Sequence, residues 1–97
     1  MARFYLVRYI QTGDAALREE LRGAHIAYRK GLGDGIALAG PILDEADKPV
    51  GSVIIISAEN ANQAHETATG DPFVKAGLLT VSSIEAMRIA AIKPPAD

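Results

Sequence analysis

Three side chains in this sequence have the type for acid–base chemistry, His25, His65 and Asp71, and only His25 and Asp71 have a setting that could use it. His25 falls in a stretch of helical spacing, one residue past Ala24, with Arg22 three residues before it and Arg29 four residues after. It therefore flanks an apolar stripe, where an imidazole either reaches a sheet edge or points to water. His65, between Ala64 and Glu66 in a second helical stretch, reads as a surface residue. Asp71 precedes Pro72 and Phe73 and has two readings. As an N-cap its carboxylate accepts a backbone N–H at the start of a helical turn whose first position suits proline. As a functional group it would orient a histidine, fix its tautomer and favour the imidazolium. Two histidines among scattered carboxylates show no metal-ligand spacing, and no metal or cofactor is expected. With no cysteine in the chain, thiolate chemistry, disulfides and cysteine zinc sites are ruled out.

The elements that must position these groups follow from the apolar pattern. Phe4 to Ile10, aromatic and β-branched, reads as a strand. Asp14 caps a helix predicted over Ala15 to about Lys30, in which Leu17, Leu21, Ala24 and Tyr28 form the apolar stripe and Gly31 and Gly33 supply the stop. Ile36 to Ala39 is a short buried strand ending at Gly40-Pro41, and the polar run from Asp44 to Pro49 is a hairpin-type connection. Gly51 to Ser57 is apolar on both faces from Val53 to Ile56, the pattern of a central strand. A second helix opens at Ser57–Asn60, turns Ala61, Ala64 and Ala68 to the sheet and ends at Gly70. A short turn from Asp71 closes at Gly77. Leu78 to about Ile89 is the last strand, with Leu79, Val81 and Ser83 alternating against Thr80, Ser82 and Ile84. Residues 85–91 suit either an edge strand or a short helix, and 93–97 are expected to fray.

The resulting order, β-α-β-β-α-β, is an α+β fold in which two helices cover one face of a four-stranded antiparallel sheet. The other face is left apolar, because neither face of the first or third strand is polar. An uncovered face of that kind normally marks an interface, so a homodimer or higher oligomer is expected, with a small-molecule pocket between sheet and helices.

Composition excludes several function classes. At 97 residues the chain makes one domain, and 48% hydrophobic residues suit a globular fold. A net charge of −2 with scattered basic residues argues against a nucleic-acid partner, and the third strand lacks the aromatics on which RNA bases would stack. No apolar run approaches the roughly 20 residues needed to span a membrane, and no secretory signal leads the chain, so a cytoplasmic address is expected. Gly31-Leu32-Gly33-Asp34-Gly35 follows a helix rather than a strand and lacks the Walker lysine and the third dinucleotide glycine, so it is a helix end and turn.

Four segments in order, Ala24-His25, Ala39-Gly40-Pro41-Ile42, Gly51 to Ile56 and Asp71-Pro72-Phe73, resemble the YCII-related proteins over roughly residues 3 to 85. The resemblance implies a ferredoxin-like fold of the dimeric α+β barrel type and an active-site pair formed by His25 and Asp71. One branch of that family resembles dehydrochlorinases of chlorinated hydroxyquinols, which suggests a cofactor-independent lyase or isomerase. In that role His25 would be the general acid or base, histidine being the side chain that ordinarily titrates near neutral pH, and Asp71 would orient it. Arg8, or Arg22 and Arg29, would hold an anionic substrate. Gly40 and Pro41 would shape the pocket wall, glycine by permitting close backbone approach, and Ser52 joins them as a substrate-binding candidate. The alternative is a non-catalytic dimeric module that binds a small molecule or simply assembles.

Overall fold

A computed structural model describes residues 3–93; of the expected frayed tail, 94–97 lie outside the described residues. The chain runs β1 (Arg3–Gln11), α1 (Ala15–Gly31), a 3-10 turn at Gly33–Gly35, β2 (Ile36–Leu43), β3 (Pro49–Ala58), α2 (Ala61–Thr69), α3 (Pro72–Lys75) and β4 (Leu79–Met87). The strands form one antiparallel sheet in the order β2-β3-β1-β4. This is the expected α+β, ferredoxin-like arrangement, with α3 as one extra turn before the last strand.

Strand alternation sets the core. Tyr5, Val7 and Tyr9 of β1 face the helices, and Ile56, Ile54 and Ser52 of β3 stand directly opposite them. Such cross-strand pairs are the unit of sheet packing. Ala64 and Ala68 of α2, Phe73 of α3, and Leu78 and Leu79 close over this face. Ile54 and Ile56 are 2% and 1% exposed, and burial on that scale stabilises by roughly 1.5–3 kcal/mol per side chain.

Four expectations change in the fold. Ala24 is exposed, whereas His25, Tyr28 and Arg29 are half-buried, so the inward face of α1 is turned towards the histidine side of the predicted stripe. The reason is that α1 packs chiefly on α3, where Asp71 sits, rather than over the centre of the sheet. β2 is not buried, because it lies at the edge of the sheet, and it does not stop at Gly40-Pro41 but continues to Leu43, with Pro41 paired to Ser52. Proline lacks a ladder donor and is tolerated there because β2 is an edge strand. β3 extends through Ala58, so Ser57 and Ala58 belong to it, and Asn60 alone caps α2 by accepting from the Gln63 N–H. In β4 a bulge lies between the partners of Arg8 and Tyr9, which face Ser83 and Val81. The extra residue reverses the alternation after Val81: Ile84 joins Leu79 and Val81 against the core, and Ser83 turns away. Beyond Met87 the described chain is irregular.

The sheet face away from the helices carries Phe4, Leu6, Val53 and Ile55, with Ile10 53% and Leu38 47% exposed. Among the described residues no helix is long and apolar enough to cross a membrane.

Candidate active site

Asp71 is the one charged side chain buried to 0% exposure among the described residues, and its surroundings explain how it tolerates that. It is the N-cap of α3: its Oδ1 accepts the Phe73 N–H at 2.9 Å, and its carbonyl accepts the Val74 and Lys75 N–H groups at 2.9 and 3.1 Å. From α1, the Arg29 Nε–H donates to Oδ2 at 2.9 Å. His25 Nδ1 lies 2.8 Å from Oδ1 and 2.8 Å from Oδ2. The capping reading and the orienting reading of Asp71 therefore describe one carboxylate with its lone pairs shared between a helix end and two α1 side chains.

Burial pushes the Asp71 carboxyl up, but the His25 hydrogen bond, the Phe73 amide and the charges of His25 and Arg29 outweigh it and hold the group below the usual carboxylate range. An ionised Asp71 only accepts, so His25 Nδ1 carries the proton between them, and in the neutral ring Nε2 is left as an acceptor. The ring is fixed in plane as well: it stacks on Phe73 with centroids 4.0 Å apart and 2° between the planes.

Arg29 is anchored from below. Its guanidinium carbon lies 5.3 Å from the centroid of the Tyr9 ring, within cation–π range. Its Nη2 is buried without a hydrogen-bond partner. The Tyr9 hydroxyl donates to the Ala68 carbonyl at 3.0 Å, and burial, opposed by Arg29, pushes that phenol up to about 12. The Tyr28 hydroxyl donates to the Thr67 carbonyl at 2.8 Å and so ties α1 to α2; burial raises its pKa too.

Two adjoining cavities meet at His25. The smaller, about 260 Å³, lies against the edge of the sheet, where Pro41, Gly51, Ser52 and Leu79 line it. The larger, about 500 Å³, follows the first half of α1 past Arg18, Glu19 and Arg22. Gln11, His25, Pro49 and Phe73 border both, so the two are lobes of one cleft. Among the described residues no group of three or more histidine or carboxylate side chains converges on a point that could hold a metal.

Of the residues singled out in the sequence, His25, Asp71, Arg22, Arg29, Gly40, Pro41 and Ser52 are gathered around this cleft. Arg8 is not brought there: it is exposed on the opposite face of the sheet, between Val53 and Ser83. Gly40 lines the smaller lobe, but a Cβ there would meet nothing within 4 Å, so close approach does not require glycine. His65 is exposed, as expected. Phe73 as a stacking partner, Tyr9 as a support for Arg29, and Gln11 were missed. The spacing of His25 and Arg29 by four residues, and of Asp71 and Phe73 by two, was the available signal.

A four-stranded α+β sheet with a histidine–aspartate contact beside a cleft defines a class, and residues 2–88 match the YCII-related domain; the chain belongs to that family. Among solved structures it is similar to 5-chloro-2-hydroxyhydroquinone dehydrochlorinase (TftG) from Burkholderia phenoliruptrix AC1100, in complex with 2,5-dihydroxybenzoquinone. The identity is 32% and the TM-score 0.65, over 91% of this chain and 92% of that one. No curated protein matches the chain.

Proposed function

We propose that this protein is a cofactor-independent lyase or isomerase of the dehydrochlorinase type, with His25 as general base and acid and Asp71 as the group that orients it. The observation that carries the reading is the 2.8 Å contact of His25 Nδ1 with a buried, ionised carboxylate, which leaves the other ring nitrogen for the cleft. The similarity to TftG supplies the chemistry to test, loss of hydrogen chloride from a chlorinated hydroxylated ring. That elimination needs no redox partner. One hydroxyl loses its proton and becomes a carbonyl as the chlorine-bearing ring carbon takes a proton. A second hydroxyl then loses its proton, its O–H electron pair becoming a carbonyl bond while the ring double bond shifts and chloride leaves with the C–Cl electron pair. His25 Nε2 would take the proton, and the imidazolium would be stabilised by Asp71 without Asp71 itself becoming protonated. Arg29 would keep the carboxylate ionised throughout. Ser52, Pro41 and Gly40 would bound the substrate ring.

The test is chloride release from 5-chloro-2-hydroxyhydroquinone and related chlorinated hydroquinones. His25→Ala and Asp71→Asn should each lower the rate by about 10²–10⁴, the usual weight of general acid–base catalysis. Activity that survives both substitutions in folded protein would remove the pair from the mechanism. The same reading includes a homodimer formed through the sheet face that the helices leave open, supported by the apolar side chains exposed there.

A further inference from the structure

The two lobes of the cleft share Gln11, His25, Pro49 and Phe73 and differ in the rest of their lining. The smaller adds Pro41, Gly51 and Leu79 as walls, with Ser52 and Arg29 as its own polar side chains. At about 260 Å³ it falls just short of the range in which small molecules are usually bound, roughly 300–1,000 Å³, so a ligand that fills the site extends into the larger lobe. That lobe is bounded on α1 by Arg18, Glu19 and Arg22, two cations against one anion.

These cations are available in a way that Arg29 is not. Arg29 is committed to Asp71 and the Tyr9 ring. Arg18 donates through Nη2 to the Thr12 carbonyl at 2.7 Å, which holds the guanidinium in place while its Nε stays buried without a hydrogen-bond partner. Arg22 is exposed and forms no ion pair among the described residues. Arg18, Arg22 and His25 follow one another at i, i+4 and i+7, so they stand on one side of α1 with the histidine at the junction of the lobes.

Resting on the reading of His25 and Asp71 given above, we propose that the cleft takes a hydroxylated ring bearing an acidic substituent. The ring sits in the smaller lobe, and the acidic group lies in the larger one against Arg18 and Arg22. The carboxylate-bearing ring is thereby told apart from the bare ring by charge-assisted hydrogen bonds, which are stronger than neutral ones and weaken with salt where the lobe is open.

Titration of the whole chain with 2,5-dihydroxybenzoate and with hydroquinone, followed by amide NMR shifts, separates the possibilities. The two probes differ by one carboxylate. The expected result is that the carboxylate improves affinity by about tenfold at low ionic strength. Arg22→Gln should remove most of that preference and leave hydroquinone binding within about twofold of wild type, and Arg18→Gln should act the same way. Shifts should cluster on both lobes for the acid and on the smaller lobe for hydroquinone. Equal affinity for the two probes would overturn the anionic lobe and leave the ring site standing. A preference that survives both arginine substitutions would overturn it too, by placing the acid elsewhere. Failure of both probes to shift cleft residues at millimolar concentration would overturn the site reading as well. Arg22 is exposed, so its variant keeps the fold even if loss of the Arg18–Thr12 contact loosens the start of α1.

Discussion

Asp71 holds a charge out of water because three donors, the Phe73 N–H, His25 and Arg29, share its two side-chain oxygens, while its carbonyl takes two more N–H groups of α3. Removing that charge should be costly for stability as well as for chemistry. Asp71→Ala leaves a half-buried guanidinium and a helix end without their acceptor, and breaking a buried pair in this way typically costs about 3–5 kcal/mol. Asp71→Asn keeps an acceptor for the cap and should cost less, so urea denaturation of the two variants should rank wild type, Asn, Ala. The carboxyl is held below its usual range, so the folded protein binds fewer protons here than the unfolded chain, and its contribution is present above the unfolded pKa. Stability should therefore fall on acidification below about pH 4, and less so in Asp71→Asn. Tyr9 works at the other end of the scale. Its phenol is raised to about 12, so the neutral form is favoured in the fold, and its contribution is whole below pH 10 and lost as the pH climbs from 10 towards 12. Tyr9→Phe should flatten that alkaline loss and, by leaving the Ala68 carbonyl without its donor, cost about 1–3 kcal/mol at neutral pH. At this scale the residues alone leave His25 and Asp71 with two readings each, and only the family resemblance puts them together as a pair. Arg29 was named only as an anion holder, since nothing in one helix says that its neighbour across the fold is a buried carboxylate. Arg8 was misplaced because both faces of β1 are apolar, so the pattern does not say which face the helices cover.

Strand geometry decides what the cleft can be made of. Gly51 in β3 faces Ile10, and a Cβ there would come within 2.4 Å of the Tyr9 carbonyl oxygen, which is backbone and cannot swing aside. Gly51→Ala should therefore force β1 and β3 apart beside the smaller lobe, at about 1–3 kcal/mol by analogy with overpacked cores. Gly40→Ala, with nothing within 4 Å, should be neutral or slightly stabilising. Thermal melts of the pair check this contrast; equal destabilisation would mean that the wall of the lobe is set by something other than these contacts. Element order and type could be read from periodicity, and so could the caps at Asp14 and Asp71. The ends of β2 and the phase of β4 could not. Pro41 looks like a strand stop unless the strand is known to be an edge. The bulge in β4 is a property of its pairing with Arg8 and Tyr9, invisible in β4's own residues, and it moved Ile84 from one face to the other.

At the scale of the molecule, the sheet is used unequally. One face is closed by helices and carries the cleft; the other presents Phe4, Leu6, Ile10, Leu38, Val53 and Ile55 on adjacent strands. Arg8 stands exposed among them, yet so many apolar side chains on one open face are uncommon on a monomer, and a second copy can cover them through a self-complementary contact. Light scattering after size exclusion should give twice the chain mass at micromolar concentration. Ile10→Lys combined with Leu38→Asp places a charge on each of two strands of this face, at side chains already half exposed. The change should therefore cost the isolated fold little while opposing the burial of both sites against a partner. A monomer with an unchanged circular dichroism spectrum is the expected result for the double variant. Because Asp71 and His25 lie on the helix side, the 2.8 Å contact between them should persist in that monomer and keep His25 Nδ1 protonated, which the imidazole ¹⁵N shifts report. A wild-type chain that runs as a monomer across that concentration range would leave the open face without the partner proposed for it.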